Sequence, residues 1–415
     1  MERYEIIKNL EAMGNVKRSD IVYRHMRDPA LLRYYYRIKN APFTEKLELS
    51  GSSPTDIFIG NYGYPKVFIG PMVPPEFGDT SLLATPERWT HMGIEEIVDM
   101  RSKLVRGMYK TDVHSVEAGR MEELVRELAL AERSAESEVK FAKKPVAKLV
   151  LQDEVQPFGP SAEIKSFELY NIKADRKLER LSLDYDATAK DAIMELYNAD
   201  MEVSKIQRGL SAGLFGLKGN RRFVPTRWGI TAVDDTISKE NLKTVKDFEP
   251  VDAIYAFYNS ALDNRWLIFF IPGNWQYESI EAWYPHTIWN RDGSNISIYS
   301  SYEPFTGRKT YAEIGGCYYA ARLAVSEKLS AMKKQAIVLI LREVHEGYLM
   351  PVGVWNVREH VRQTLQAEPT VLSTFSDMLD MIRTRLAIDP STWMLNSNIL
   401  KLLLMQKRLS EYIAR

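Results

Sequence analysis

Between residues 252 and 305 the chain passes through three segments, DAIYAFYNS, RWLIFFIPG and SNISIYSSYEPF, built from aromatic and β-branched side chains. Such side chains fit the pleated surface of a sheet, and runs this short and this rich in them predict strands. Only ALDN separates the first two, a length that folds them back on each other as a hairpin. A mixed or antiparallel sheet is therefore expected in this part of the chain.

Elsewhere the apolar spacing changes period repeatedly. DIFIG and KVFIG, each closed by glycine and separated by NYGYP, predict a strand pair followed by a long ordered loop. From TPERWTHMGIEEIVDMRSKLVRGM the spacing turns helical, with Thr85 as cap and Pro86 at the first helical position. SVEAGRMEELVRELALAERSAESEVKFAKK predicts a second helix, charged on most of its face and ended by Lys144-Pro145. VAKLVLQDEV and IKSFELYNI predict strands, and residues 187–197 a helix. The remainder alternates helix, strand and helices, through QAIVLILREV to NSNILKLLLMQKRLSEYIAR, and DPALLRYYYRIKN near the start reads as a short helix capped by Asp28. This order is not a regular strand–helix repeat. It predicts an α+β fold, with central mixed or antiparallel sheets flanked by helices and a C-terminal helical tail.

Lysine plus arginine number 55 and aspartate plus glutamate 55, so the molecule has no net field to gather DNA or an anionic membrane. Any nucleic-acid contact must use a local patch. Cys317 is the only cysteine, which excludes an internal disulfide and a cysteine-based zinc finger. No apolar run approaches a membrane span and no signal-peptide core is present, so a cytoplasmic protein with no membrane partner is expected.

Walker loops, G-x-S-x-G, H-E-x-x-H and dinucleotide fingerprints are all absent. What chemistry is legible lies in local groupings. In KGNRRFVPTRWGITAVDD, Lys218, Arg221, Arg222 and Arg227 crowd before a helix that begins near Trp228, and cations beside unpaired helix amides suit a phosphate. Asp234 and Asp235 can equally neutralise them as a surface network. NWQYESIEAWYPHTIWN interleaves Trp275, Trp283 and Trp289 with Glu278, Glu281 and His286. Indoles can stack a nucleobase while the acids and imidazole hold a divalent metal, and the same pattern suits a strand that buries its indoles. Arg308 and Lys309 precede a helix that opens with Gly315-Gly316, open to a phosphate or to a packed neighbour. The turn Gly78-Asp79-Thr80-Ser81 offers amides and hydroxyls to an anion, or simply caps itself.

Taken in order, IFIGNYGYPKVFIGPMVPPEFGDTS, RSKLVRGM, RRFVPTRWGITAVDD, NWQYESIEAWYP, GRKTYAEIGGCYYAARLAVSEKL, REVHEGYLMPVGVWNVRE and QKRLSEYI resemble the archaeal Nre DNA repair family. These words span nearly all of the chain from about Thr55 onward. The resemblance implies a role in the response to DNA damage and association with the replication sliding clamp, PCNA. It divides the sequence into an N-terminal Nre-like region (1–270), a C-terminal one (271–396) packed with it, and a clamp-binding tail (397–415). Many members begin with a four-cysteine cluster that holds zinc. This chain has none, so zinc-finger DNA binding does not transfer to it.

In QKRLSEYI, Gln406 is followed three places on by Leu409 and then by Tyr412 and Ile413, the clamp-binding pattern. One tight turn brings the three apolar side chains to one side as a plug. Spacing alone equally fits the end of an amphipathic helix begun by ILKLLLM. Two functional readings follow. One is a repair factor held at PCNA by its tail, with a body that binds DNA or a nucleotide-like phosphate ligand. The other is a metal-dependent enzyme that hydrolyses phosphate esters of nucleotides or DNA, with a divalent cation held by Asp234, Asp235, Glu278 or Glu281.

Overall fold

Each of the three aromatic runs between residues 252 and 305 is a strand in the computed structural model, which describes residues 36–117, 119–147, 154–287, 289–290 and 293–405. The first residues of the helix expected from Asp28 and the motif from Gln406 to Ile413 lie outside the described residues, as does most of VAKLVLQDEV, while residues 36–39 at the end of that expected helix are helical. The described residues form two compact units. One comprises the chain up to Ile237 with Met350–Trp355, the other Ser238–Leu349 with the chain from Asn356 on.

The first unit is built on a six-stranded sheet. In chain order its strands are β1 (Glu48–Ser53), β2 (Ile57–Ile59), β3 (Lys66–Val73), β4 (Val105–Asp112), β5 (Ala135–Phe141) and β6 (Ser161–Tyr170). Their spatial order is β1-β5-β6-β4-β3-β2, and the β4–β6 pair is parallel while the others are antiparallel. Helices α1 (Ile94–Ser102), α2 (Arg120–Leu130), α3 (Arg176–Leu183), α4 (Ala189–Asn198) and α5 (Val203–Ser211) belong to this unit, and α6 (Thr226–Val245) begins in it. Pro71 has no N–H to give β4, and the ladder accordingly skips from Ile69↔Tyr109 to Met72↔Arg106.

Two expectations are corrected here. Pro86 opens only a 3₁₀ turn, Pro86–Arg88, which sets Trp89 into the core, and α1 starts eight residues later, after Gly93. The long charged helix expected from SVEAGRMEEL onward stops at Leu130. Its second half, AESEVKF, is β5, with Ala135, Ser137, Val139 and Phe141 inward and the charged residues outward. Pairing with β1 on one side and β6 on the other overrides the helix propensity of Ala, Glu and Lys.

The second unit holds the other six-stranded sheet. Its strands are β7 (Ile254–Ala261), β8 (Asn264–Ile271), β9 (Gln276–Trp283), β10 (Ser297–Glu303), β11 (Ile337–Val344) and β12 (Thr370–Leu372), arranged β10-β9-β11-β8-β7-β12. The hairpin between β7 and β8 turns on Leu262 and Asp263, both at positive φ (49° and 54°), the two-residue turn whose twist matches its strands. Helices cover both faces, which is why β8, β9 and β11 are buried nearly end to end. On one face lie α9 (Phe375–Arg385), α10 (Pro390–Asn396) and α11 (Asn398–Met405), packed on Leu267, Phe269, Ile280 and Leu339. On the other, α7 (Gly316–Met332) and α8 (Trp355–Gln366) bring Tyr318 to Tyr277 and His360 to Trp266. The fold is α+β, with mixed sheets, flanking helices and helices at the C-terminal end. No described helix is long and apolar enough to cross a membrane.

Glu278 joins the sheet to α11. Its carboxylate accepts from Ser300 Oγ (3.0 Å), Ser397 Oγ (2.6 Å), Asn398 Nδ2 (2.9 Å) and the amides of Asn398 (2.8 Å) and Ile399 (2.9 Å). It thus satisfies the unpaired N–H groups that open α11 and opposes the positive end of its dipole. Glu278→Ala should lower stability by about 3 kcal/mol, because buried donors lose a charged acceptor. Thermal melting and amide exchange at Asn398 and Ile399 check this, and unchanged exchange there would contradict it.

Candidate nucleic-acid interface

The edge strand β2 and the start of α6 define a rim in the first unit. The free edge amide of Ile59 donates to Thr226 Oγ1 at 2.9 Å, which lays the first turn of α6 along the β2–β3 hairpin. The hairpin loop, Gly60 to Pro65, turns through Gly63 at φ 81°, a conformation that favours glycine, and Lys66 N closes it on Gly63 O at 3.0 Å. Beyond the loop, Pro65 O accepts from Val113 N (2.9 Å) and Val113 O accepts from Phe223 N (2.8 Å). The hairpin, the end of β4 and the basic loop are thereby stitched side by side.

Three aromatic side chains stand out from this rim. Tyr62 is 78% exposed, Tyr64 42% and Trp228 44%, and the Tyr64 and Trp228 rings meet at 5.2 Å. Cations lie close to them along the chain. Lys66 and Arg222 are exposed, and Arg227 is partly exposed while paired to Glu154 at 2.9 Å. Asp112, which faces Lys66 across the ladder, is held below the usual carboxylate range chiefly by the His114 backbone N–H, which it accepts at 3.0 Å. Exposed rings beside phosphate-seeking cations are the elements of a surface that stacks bases and follows a backbone.

The basic loop does not act as one group. Arg221 is buried and caps α3: its guanidinium donates to the carbonyls of Leu181, Ser182, Asp184 and Gly216 and lies 4.3 Å from the Tyr185 ring. That use of arginine satisfies the orphan carbonyls at a helix end. Lys218 is exposed above Tyr185, and Arg222 opens on a pocket of about 280 Å³ whose wall includes Thr188 and Ala189 at the start of α4. In the second unit Arg308 grips Glu313 (2.7 and 2.8 Å) and the Tyr302 carbonyl (2.7 Å), while Lys309 is exposed. The turn at Gly78 is tied to β1, with Gly78 N on Ser52 Oγ and Thr80 Oγ1 on Ser52 O, and Asp79 caps Ser81.

The carboxylates are likewise separately engaged. Asp234 is fully buried and accepts from Gln207 Nε2 at 2.9 Å, and Asp235 is half-buried on the next position of α6. Glu278 and Glu281 stand three apart on one strand, so they leave opposite faces of the sheet. Glu278 caps α11, whereas Glu281 holds Arg342 at 2.8 Å and accepts from Trp283 Nε1 at 3.3 Å. Trp275 and Trp283 are core residues, and His286 is exposed in the left-handed region at φ 68°. Among the described residues no three of His, Cys, Asp and Glu are grouped to hold a metal ion. Sequence reasoning passed over Tyr62 and Tyr64, since NYGYP reads as a turn. The available signal was two tyrosines in a turn that has no core to bury them.

The class defined by this rim and these two sheets can be named by comparison. The model of the archaeal Nre N-terminal region matches residues 27–290, and that of the archaeal Nre C-terminal region matches residues 303–412. The chain belongs to the archaeal Nre family, and with it to the DNA repair proteins. It is 38% identical over 355 residues to DNA repair protein NreB of Archaeoglobus fulgidus, covering 85% of this chain and 89% of that one. It is 32% identical over 333 residues to DNA repair protein NreA of the same organism (79% and 82% covered) and 35% identical over 338 residues to NreA of Haloferax volcanii (79% and 80%). No solved structure matches the chain.

The two neighbouring arginines should separate by experiment. Arg221→Ala strips several carbonyls of a charged donor and should cost about 2–3 kcal/mol of stability, whereas the exposed Arg222→Ala should leave the melting temperature within about 1 °C. Denaturant titration of both variants measures the contrast.

Proposed function

We propose that this repair protein binds nucleic acid through the rim at Tyr64 and Trp228, and is held at the PCNA sliding clamp by Gln406, Leu409, Tyr412 and Ile413. The observation that carries the first half is the exposed Tyr64–Trp228 pair, with Lys66, Arg222 and Arg227 close by along the chain and at least partly exposed. Every base has a face to stack, and stacking on an aromatic side chain contributes about 1–3 kcal/mol per base. The molecule as a whole is neutral, so affinity rests on few phosphate contacts and falls with salt. The clamp half is supported by the spacing of QKRLSEYI and by the family. The motif follows directly on α11, whose start is anchored to the sheet by Glu278. The hydrolase alternative has no comparable support, because Asp234, Glu278 and Glu281 each already serve a fixed partner.

Trp228→Ala and Tyr64→Ala should each weaken binding of a labelled oligo-dT by about tenfold, as loss of one stacking contact implies. Lys66→Ala combined with Arg222→Ala should instead reduce the slope of log affinity against log salt by about 1. Absence of oligonucleotide binding by the wild type at low salt, or unchanged binding by the aromatic variants, would rule out the rim. Deleting residues 406–415, or changing Leu409 and Tyr412 to alanine, should abolish PCNA binding in calorimetric titration with little effect on melting. Clamp binding that survives both changes removes the tail from the reading.

A further inference from the structure

Arg106 stands on β4 opposite Met72 of β3 and Ser161 of β6. Its guanidinium lies 3.8 Å from the centroid of Phe58 and 5.4 Å from that of Phe158, two rings that themselves meet at 5.3 Å. Stacking on a ring occupies the flat face of a guanidinium. The N–H bonds lie in the plane and point past the rings.

Among the described residues nothing accepts them. Nε is shut off from solvent without an acceptor, and burial alone, with no carboxylate to counter it, pushes the Arg106 pKa down to about 10. Arg126 and Arg208 of the same unit also bury an unpartnered Nε, but their outer nitrogens reach Glu117 (3.8 Å) and the Ala84 carbonyl (2.6 Å), and two further arginines show the usual solution. Arg101 gives its donors to Asp56 (2.7 Å), the Leu83 carbonyl (2.5 Å) and the Pro157 carbonyl (2.9 Å), and Arg221 gives its own to the end of α3. A largely buried cation with an unpartnered Nε and no protein acceptor among the described residues is costly, and an arriving anion would complete it.

Arg106 keeps partial exposure, and of its three nitrogens only Nε is both shut off from solvent and without an acceptor. Gly60 lies alongside: a Cβ there would sit 3.4 Å from Arg106 Nη2 and 3.3 Å from the Phe68 carbonyl, so glycine lets the backbone come close to the guanidinium. Gly60 also begins the loop that carries Tyr64 near its other end, so the guanidinium and the stacking pair flank one short stretch of chain. The planar fork of arginine matches the paired oxygens of a phosphate.

We propose that Arg106 is an anion-binding residue that takes a phosphate group, from a nucleic-acid strand or a free nucleotide, at the Gly60 end of the loop whose other end carries the Tyr64–Trp228 pair. The choice of phosphate rests on the nucleic-acid reading above; the anion site itself does not.

The test uses the full chain with Arg106→Met, which keeps the contact with Phe58 and Phe158 and removes the charge, and Arg106→Lys, which keeps the charge and loses the fork. Without ligand, Arg106→Met should melt at or above the wild-type temperature, because it removes an uncompensated charge. A drop of more than a few degrees in both variants would mark a structural arginine and overturn the proposal. Pyrophosphate, thymidine monophosphate and oligo-dT should be titrated in parallel by thermal shift and calorimetry. Wild type should respond to at least one, Arg106→Met should bind it about tenfold or more weakly, and Arg106→Lys should fall between. Response to oligo-dT alone identifies a strand phosphate as the source, and response to the monophosphate or pyrophosphate a free one. No response to any of the three, or an equal response in Arg106→Met, overturns the site. If wild type ignores oligo-dT yet shows an Arg106-dependent pyrophosphate response, the anion site stands and the nucleic-acid reading fails.

Discussion

Glu281 and Arg342 face each other across the parallel pair of β9 and β11, 2.8 Å apart, with side chains only 1% and 3% exposed. Neither charge could be buried alone, since an unpaired ion in such surroundings costs more than most single contacts return. The pair therefore constrains the sheet. A slip of β11 by one residue would carry Arg342 to the opposite face and strand Glu281. Asn264 Oδ1 accepts from Arg342 Nε at 2.9 Å, and Trp266 and Trp283 enclose the guanidinium at 4.7 and 5.4 Å. Burial works against the Arg342 charge, but Glu281 outweighs it and holds the pKa above the usual arginine value. With β9 and β11 locked, Glu278 is necessarily turned to the other face, where it meets the start of α11.

A second pair repeats the logic from the helix side. Arg322 on α7 meets Glu303 on β10 at 2.6 Å, and Trp275 Nε1 and the Tyr318 hydroxyl donate to the same carboxylate. Burial opposes the Glu303 charge, but Arg322 and these donors keep its pKa below the usual glutamate value. The interior of this unit is thus organised by charges that are matched. In the other unit arginines have diverging fates. Arg101 neutralises Asp56, Arg221 closes a helix, and Arg106 lies on phenyl rings with no acceptor for its donors among the described residues. The residue type is the same in each case. What differs is whether the fold delivers a carbonyl or carboxylate to the plane of the guanidinium.

Much of the fold was legible because period and composition agreed. RWLIFFIPG and QAIVLILREV are dense in β-branched and aromatic residues and became β8 and β11, and ALDN became the turn between β7 and β8. AESEVKF was misread because its residues favour helices while its alternation favours a strand, and two flanking strands decided the matter. In the candidate site, the basic loop was visible as a cluster, but its division into a buried cap at Arg221 and exposed cations at Lys218 and Arg222 was not. Tyr64 became part of a site only when Thr226 took up the amide of Ile59 and brought Trp228 beside it.

The sequence by itself determined the α+β class, most of the strands and helices, the family and the spacing from Gln406 to Ile413, because each of these is written in neighbours along the chain. Only the tertiary structure decided which charged side chains are available for chemistry. Glu278 and Glu281 stand three apart in sequence and on opposite faces of a sheet, and Arg106 and Tyr64 lie some forty residues apart and flank one loop. A side chain's charge is local, whereas its hydrogen-bond partners and its exposure are supplied by segments far along the chain, so function at these residues emerges only once the strands have paired.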